Sequence, residues 1–368
     1  MGVSLFTKDK TNVCKGIGIL FLLFHHLFRK PEIILNNNIE FNFISIEKIN
    51  IIATALRVCV WIFAFLSAYG LAYKYKRSSK EDRHWFVPRQ WLNLMKPFWF
   101  IYLFAVCVYI ISGHNIVAKY SGNFLYAVFD FFAVADFFGT TKLLGVFWYM
   151  FFAQLVVIAL PVIYKFCEKF GYLSILFSFI FMFFLKYGIS TLNGGPYLEY
   201  LIVVVTGVVF VQKDVMNRLS MRKSKAPFKL FMFILFLCIA AGAMYLREMV
   251  IPDDTMHLRG VCSAVAAASI CISFGVYLNI RFITIPLSFL GKYSGGMFII
   301  HSMLYSMVPR IVYITSNPAL VYLILIAESL LITMAVFVVK KYIRYDKLFE
   351  LISKGICKIP VFFFGKQA

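Results

Sequence analysis

Ten runs of mostly apolar residues, each close to the length that crosses a bilayer, dominate this sequence. A helix rises 1.5 Å per residue and needs about 20 apolar residues to cross hydrocarbon. Such runs fall near 13–29, 51–73, 97–113, 143–164, 172–187, 197–212, 230–246, 260–280, 293–313 and 319–339. The composition agrees, with 61% of residues apolar and 15% charged, where a soluble domain has roughly half and a quarter. A soluble enzyme, a disordered chain and a disulfide scaffold are thereby excluded. The net charge of +20, from 37 Lys and Arg against 17 Asp and Glu, would suggest nucleic acid in a soluble protein. Here the cations belong in the loops of a membrane protein, and no nucleic-acid partner is expected. The eight cysteines form no CxxC pair and mostly lie inside apolar runs, so they read as small packing residues. Lys8, Lys10 and Lys15 lead into the first run and no small-residue cleavage site follows it, which predicts an uncleaved first span.

Three segments are densely basic: 74–96, 213–229 and the tail from 340, which together hold more than half of the cations. Cytoplasmic loops concentrate Lys and Arg, so all three are expected on the cytoplasmic side of a cell inner or plasma membrane. That requires an even number of spans between each pair. A further apolar stretch at 124–138 would break the parity if it crossed, and it carries Asp130 and Asp136. It is therefore read as re-entrant or interfacial. The expectation is an all-α integral membrane protein, a bundle of about ten transmembrane helices with both termini cytoplasmic. Residues 1–339 form the membrane domain and 340–368 a basic cytoplasmic tail. Within the tail, Tyr342, Tyr345, Leu348, Phe349 and Ile352 suit either an amphipathic helix on anionic lipid or a solvated segment.

Ionisable groups in hydrocarbon are costly and mark function by default. On this span map they are His25, His26, Arg57, Glu199, His301, Arg310 and Glu328. Most fall between the midplane and the outer surface, where one cavity could collect several. Each also has a structural reading. Adjacent histidines point about 100° apart on a helix, so at most one of His25 and His26 faces a common site well. Arg57 can snorkel outward, Arg310 can anchor at the interface, and Glu199 and Glu328 can pair with neighbouring spans or headgroups. The spacing of His25 and His26 does not suit two metal ligands, no HxxxH or HExxH occurs, and no metal is expected. No Gly-rich phosphate loop or nucleophile elbow is present.

Four stretches carry a family resemblance. Lys15-Gly16-Ile17-Gly18 through Phe24-His25-His26, Phe63 to Gly70, Phe147-Trp148-Tyr149-Met150 followed by Pro161, and Leu290-Gly291-Lys292-Tyr293-Ser294 leading to Phe298 and His301 stand in this order. They resemble the acyltransferase-3 family, integral-membrane enzymes that acylate sugars, often bacterial polysaccharides. The family opens with a basic residue, ten intervening residues and a histidine, a spacing that Lys15 and His26 fit. The chain departs from the pattern at Ala68, where Gly is usual, and at Asn93, where an Arg is common before Pro97.

The resemblance implies O-acyl transfer from a cytoplasmic acyl-CoA, acetyl-CoA as donor, to a sugar hydroxyl of a polysaccharide or its lipid-linked precursor. His26 is assigned as the base, since neutral imidazole can take a hydroxyl proton; an acyl-imidazole intermediate is the alternative. Arg57 is assigned to the developing oxyanion, with His301 orienting His26 or lining a channel. Lys15, Arg89 and Lys96 are assigned to the phosphates of the donor, against the plain reading of Lys96 as one more positive-inside residue. The rival class is a secondary transporter using the same buried charges, which would usually show repeat symmetry; none is visible here.

Overall fold

A computed structural model of the chain describes residues 6–188, 197–221, 225–347 and 349–351. Among them there is no strand. Eight helices are long and apolar enough to cross a membrane, and two apolar helices are shorter. These ten correspond one for one to the ten runs in the sequence, and the chain is an all-α integral membrane protein. The main helices are α1 (Lys8–Phe28), α2 (Ile46–Ala55), α3 (Val58–Arg77), α4 (Phe86–Ile111), α5 (Phe124–Phe131), α6 (Trp148–Phe170), α7 (Leu173–Gly188), α8 (Leu201–Gln212), α9 (Ala226–Tyr245), α10 (Met256–Ile272), α11 (Arg281–Met307) and α12 (Pro318–Tyr342).

Local signals set the ends. The Thr7 hydroxyl accepts from the Lys10 N–H at the start of α1, and Asn317 caps α12 ahead of Pro318. The stretch at 124–138 does not cross. Its helix α5 has eight residues, about 12 Å, and the chain turns back after it. Asp130 is buried there and accepts hydrogen bonds from the Leu143 N–H at 2.7 Å and the Tyr120 hydroxyl at 2.7 Å.

Two boundaries differ from the sequence reading. The third span begins at Phe86, eleven residues before Pro97, and the ninth at Arg281, twelve before Tyr293. Pro97 and Pro286 lie inside these helices. Each removes one intrahelical bond without ending the helix, which neighbouring spans can compensate. α11 instead stops at Met307, where Val308 precedes Pro309 and is driven out of helical conformation.

The layering follows polarity around each helix. α8 is apolar on every side and every residue from Ile202 to Val209 is buried, so it forms the centre with α10, whose small residues admit close neighbours. α9 is the opposite case, with 11% of its apolar window buried against 78% for α10 and its continuation; it faces lipid. Beyond α12 the chain turns back onto α4. The Tyr345 hydroxyl donates to the Lys96 carbonyl at 3.2 Å, and the Phe349 ring lies 5.5 Å from Trp99. Tyr345 and Phe349 therefore pack on protein. Leu348 and the residues after 351, with them Ile352 and the last lysines of the tail, lie outside the described residues.

Candidate active site

The site is built by the contact between α1 and α11. A Cβ on Gly16 would stand 2.0 Å from the Leu287 carbonyl oxygen, and one on Gly291 would stand 1.8 Å from the Asn12 carbonyl oxygen. No other residue type allows the two backbones to meet this closely. Residues 12–16 meet 287–291, and the rings of His26 and His301 meet further along at 5.1 Å between centroids. The two helices therefore run in the same direction. Ten residues separate Gly16 from His26 and Gly291 from His301, about 15 Å of helix in each case. The glycine contact fixes the register in which the two histidines face one another.

His25 and His26 divide their roles by direction. Between α2 and α3 the helix breaks at Leu56 and Arg57, and the Arg57 N–H bonds to the Thr54 carbonyl at 3.1 Å. The Ala53 carbonyl loses its usual helical donor and accepts from His25 Nδ1 at 2.6 Å. His25 is buried and pins α1 to the break. His26 turns the other way, toward α11. Its ring is half-buried and makes no hydrogen bond within the described residues, and it stacks on Tyr305 at 5.8 Å with 20° between planes.

His301 is fully buried. Its Nδ1 lies 3.0 Å from the Met297 carbonyl. A carbonyl only accepts, so Nδ1 carries the proton and Nε2 the lone pair. That Nε2 has no hydrogen-bond partner among the described residues. The pair thus offers one imidazole open to a reactant and a second with an unused acceptor beside it.

Arg57 belongs to an ion network centred on the buried Arg247. Arg247 is 1% exposed and lies in a π-helical turn, Leu246–Val250, a distortion frequent at functional sites. Its guanidinium pairs with Glu199 and Glu248, bonds to Ser263 Oγ at 3.0 Å, and sits over the Trp61 ring at 4.3 Å. Arg259 pairs with Glu248 at 3.4 Å and Asp253 at 2.6 Å. Arg57 reaches Glu248 at 3.7 Å, and its Nε is buried without a partner among the described residues. Replacing Arg247 with Met strands Glu199 in the interior. Breaking a buried pair costs about 3–5 kcal/mol, so this variant is expected to unfold well below wild type in a detergent thermal melt; an unchanged melt would mean that the network is hydrated.

The basic end of the bundle gathers other candidates. A cleft of about 440 Å³ is lined by Tyr73, Lys74, Arg77, Asp82, Arg89 and neighbouring residues, and Lys15 lies within electrostatic range of Lys74. Arg89 bonds to Asp82 at 2.7 Å, both about half exposed, and this bond holds the Asp82 carboxyl below its ordinary range. Lys96 is placed apart from the cleft. Its ammonium is 2.7 Å from Asp346, which also takes Lys340 at 3.1 Å. Arg89 thus lines this cleft, Lys15 is linked to it only through Lys74, and Lys96 is not part of its lining. Arg310 is exposed on the short turn after α11. No group of residues suited to a metal ion occurs among the described residues.

Several contributors escape a reading by sequence alone. Tyr305 stands four residues after His301, on the same helix face, and that spacing is the signal that identifies it. Arg247, Glu248 and Arg259 fall at or near predicted span ends, where charge is ordinary, and only the fold turns them inward. Lys74 and Arg77 were visible only as members of a basic loop.

With this geometry, the chain matches the family model described as an acyltransferase domain over residues 10–338, nearly its full length. The chain belongs to the acyltransferase-3 family and is a membrane acyltransferase. No curated protein and no solved structure matches it significantly. Membership sets the transporter reading aside.

Proposed function

We propose that this enzyme takes an acetyl group from cytoplasmic acetyl-CoA and delivers it to a sugar hydroxyl of a surface polysaccharide or its lipid-linked precursor. The observation that carries the reading is the α1–α11 pair. It sets a half-buried imidazole, His26, against the buried His301 ring and the half-buried Tyr305 ring, and eleven residues, about 16 Å of helix, separate it from Lys15 at the basic end. A pantetheine arm can span that interval while its phosphates stay among cations.

His26 takes the proton of the acceptor hydroxyl. The hydroxyl oxygen forms a bond to the thioester carbonyl carbon, the carbon–sulfur bond breaks, and the proton passes to the departing CoA thiolate. Arg57, with an unsatisfied buried Nε–H, is the proposed donor to the oxyanion. His301 orients His26. The basic end faces the cytoplasm, with both termini on that side of an inner or plasma membrane, and Lys15 and Arg89 hold the donor.

The donor assignment separates two cations. Arg89→Ala should raise the KM for acetyl-CoA roughly tenfold through loss of a charge-assisted phosphate contact. Lys96→Ala should leave that KM within about twofold, because Lys96 does not line the cleft that holds Arg89; steady-state kinetics with varied acetyl-CoA decide it. For the function itself, surface glycan from cells with and without the gene is compared by proton NMR before and after mild base. Base-labile acetyl signals present only with the gene support the reading, and identical spectra refute it.

A further inference from the structure

A second cleft, of about 570 Å³, opens between the start of α1 and the start of α11 and shares no lining residue with the Lys74–Arg89 cleft. One wall is the start of α1, with Asp9, Lys10 and Val13; the other is the segment from Phe274 to Lys292. Lys10, Arg281 and Lys292 line it, and no acidic side chain forms an ion pair with any of the three among the described residues. Lys229, at the start of α9, adds positive potential at Lys10, while Asp9 is the one carboxylate on the lining. Unpaired cations around a concavity at the edge of a membrane domain call for an anion.

The apolar part of the lining identifies the kind of anion. Ile285 and Phe289 lie one turn apart on α11, are 64% and 44% exposed, and continue from the Arg281 rim along the lipid-facing surface. Phe274 and Leu278 complete that side. Asn12, Asn279, Thr284 and Ser288 add neutral hydrogen-bonding groups to the same lining. We infer that this cleft binds an anionic phospholipid, its phosphate held by Lys10, Arg281 and Lys292 and one acyl chain laid along Ile285 and Phe289. Basic pockets between transmembrane helices bind such headgroups by the same combination. A soluble phosphate compound would use the cations and leave the apolar strip unused.

The position gives the lipid a consequence. The cleft borders the crossing at which Gly291 meets Asn12, so a headgroup bridging Lys10 of α1 and the cations of α11 holds together the two helices that carry His26 and His301. Anionic lipid should therefore raise acyl transfer, an effect that rests on the proposed function, whereas binding does not.

Binding is read first, by native mass spectrometry of the full-length protein released from nanodiscs of mixed phosphatidylglycerol and phosphatidylcholine. The wild type should retain phosphatidylglycerol preferentially. Each cation removed should weaken retention roughly fivefold, so that Lys10→Gln/Arg281→Gln/Lys292→Gln loses the preference and Lys10→Arg/Lys292→Arg keeps it. If the triple variant does not fold, Arg281→Gln alone must show the single fivefold step. Equal retention by wild type and charge-removed variants, or displacement of the lipid by added coenzyme A, overturns the proposal. Preferential binding with no change in acyl transfer would leave the site standing and refute its link to the histidine pair.

Discussion

Replacing His26 with alanine should reduce acyl transfer at least about a hundredfold, the contribution of one positioned acid–base group, while the protein still inserts and melts near the wild-type temperature. The separation of chemistry from stability follows from the contacts. His26 makes no hydrogen bond within the described residues, and its ring is only half-buried. Its removal leaves His301 still bonded to the Met297 carbonyl and Tyr305 without its stacked neighbour. His25→Ala should do the reverse. It strands the Ala53 carbonyl at the α2–α3 break, a loss of about 1–3 kcal/mol for a buried unsatisfied group, with a smaller fall in turnover. Parallel rate measurements and detergent melts on the two variants check this. Equal loss of turnover in both, at equal stability, would mean that the two histidines share one role.

Gly291→Ala is expected to match His26→Ala in lost activity from about 15 Å away. The added carbon would sit 1.8 Å from the backbone oxygen of Asn12, an atom that cannot rotate away, so α1 and α11 must part. Overpacking of this kind costs about 1–3 kcal/mol, and the register of His26 on His301 changes with it. Gly295, one turn further along, is the internal control. A carbon added there meets nothing within 4 Å, and Ala should leave activity intact and stabilise the helix by up to about 1 kcal/mol. Activity and melting temperature measured on both variants decide the matter. Full activity in Gly291→Ala would show that the helix contact does not set the site.

These residues also show what the sequence made legible. The spans stood out because hydrocarbon demands long apolar runs, and the non-crossing of 124–138 followed from charge parity and from Asp130. Span ends were less visible. Pro97 and the Gly291-Lys292 pair resemble boundaries, yet both lie inside helices whose missing bonds neighbouring spans absorb. His26 was singled out because its spacing to Lys15 resembles the family pattern, and its contact with His301 follows from glycines that a sequence shows only as motif letters. The ion network was hidden because a charge near a span end is unremarkable until a helix break at Arg57 and a π-turn at Arg247 carry it inward. Lys96 illustrates the converse. A cation at the right height was plausible for a phosphate, and a returning tail carrying Asp346 engages it instead.

The most direct measurement follows acetyl-CoA labelled in its acetyl group, added to the basic side of membranes containing the protein, with surface glycan stripped of esters by mild base as acceptor. Wild-type membranes should place base-labile label in the glycan, and His26→Ala membranes should place none. Equal labelling by both, or uptake of glycan without label transfer by the wild type, would contradict an enzyme that acetylates sugars through His26.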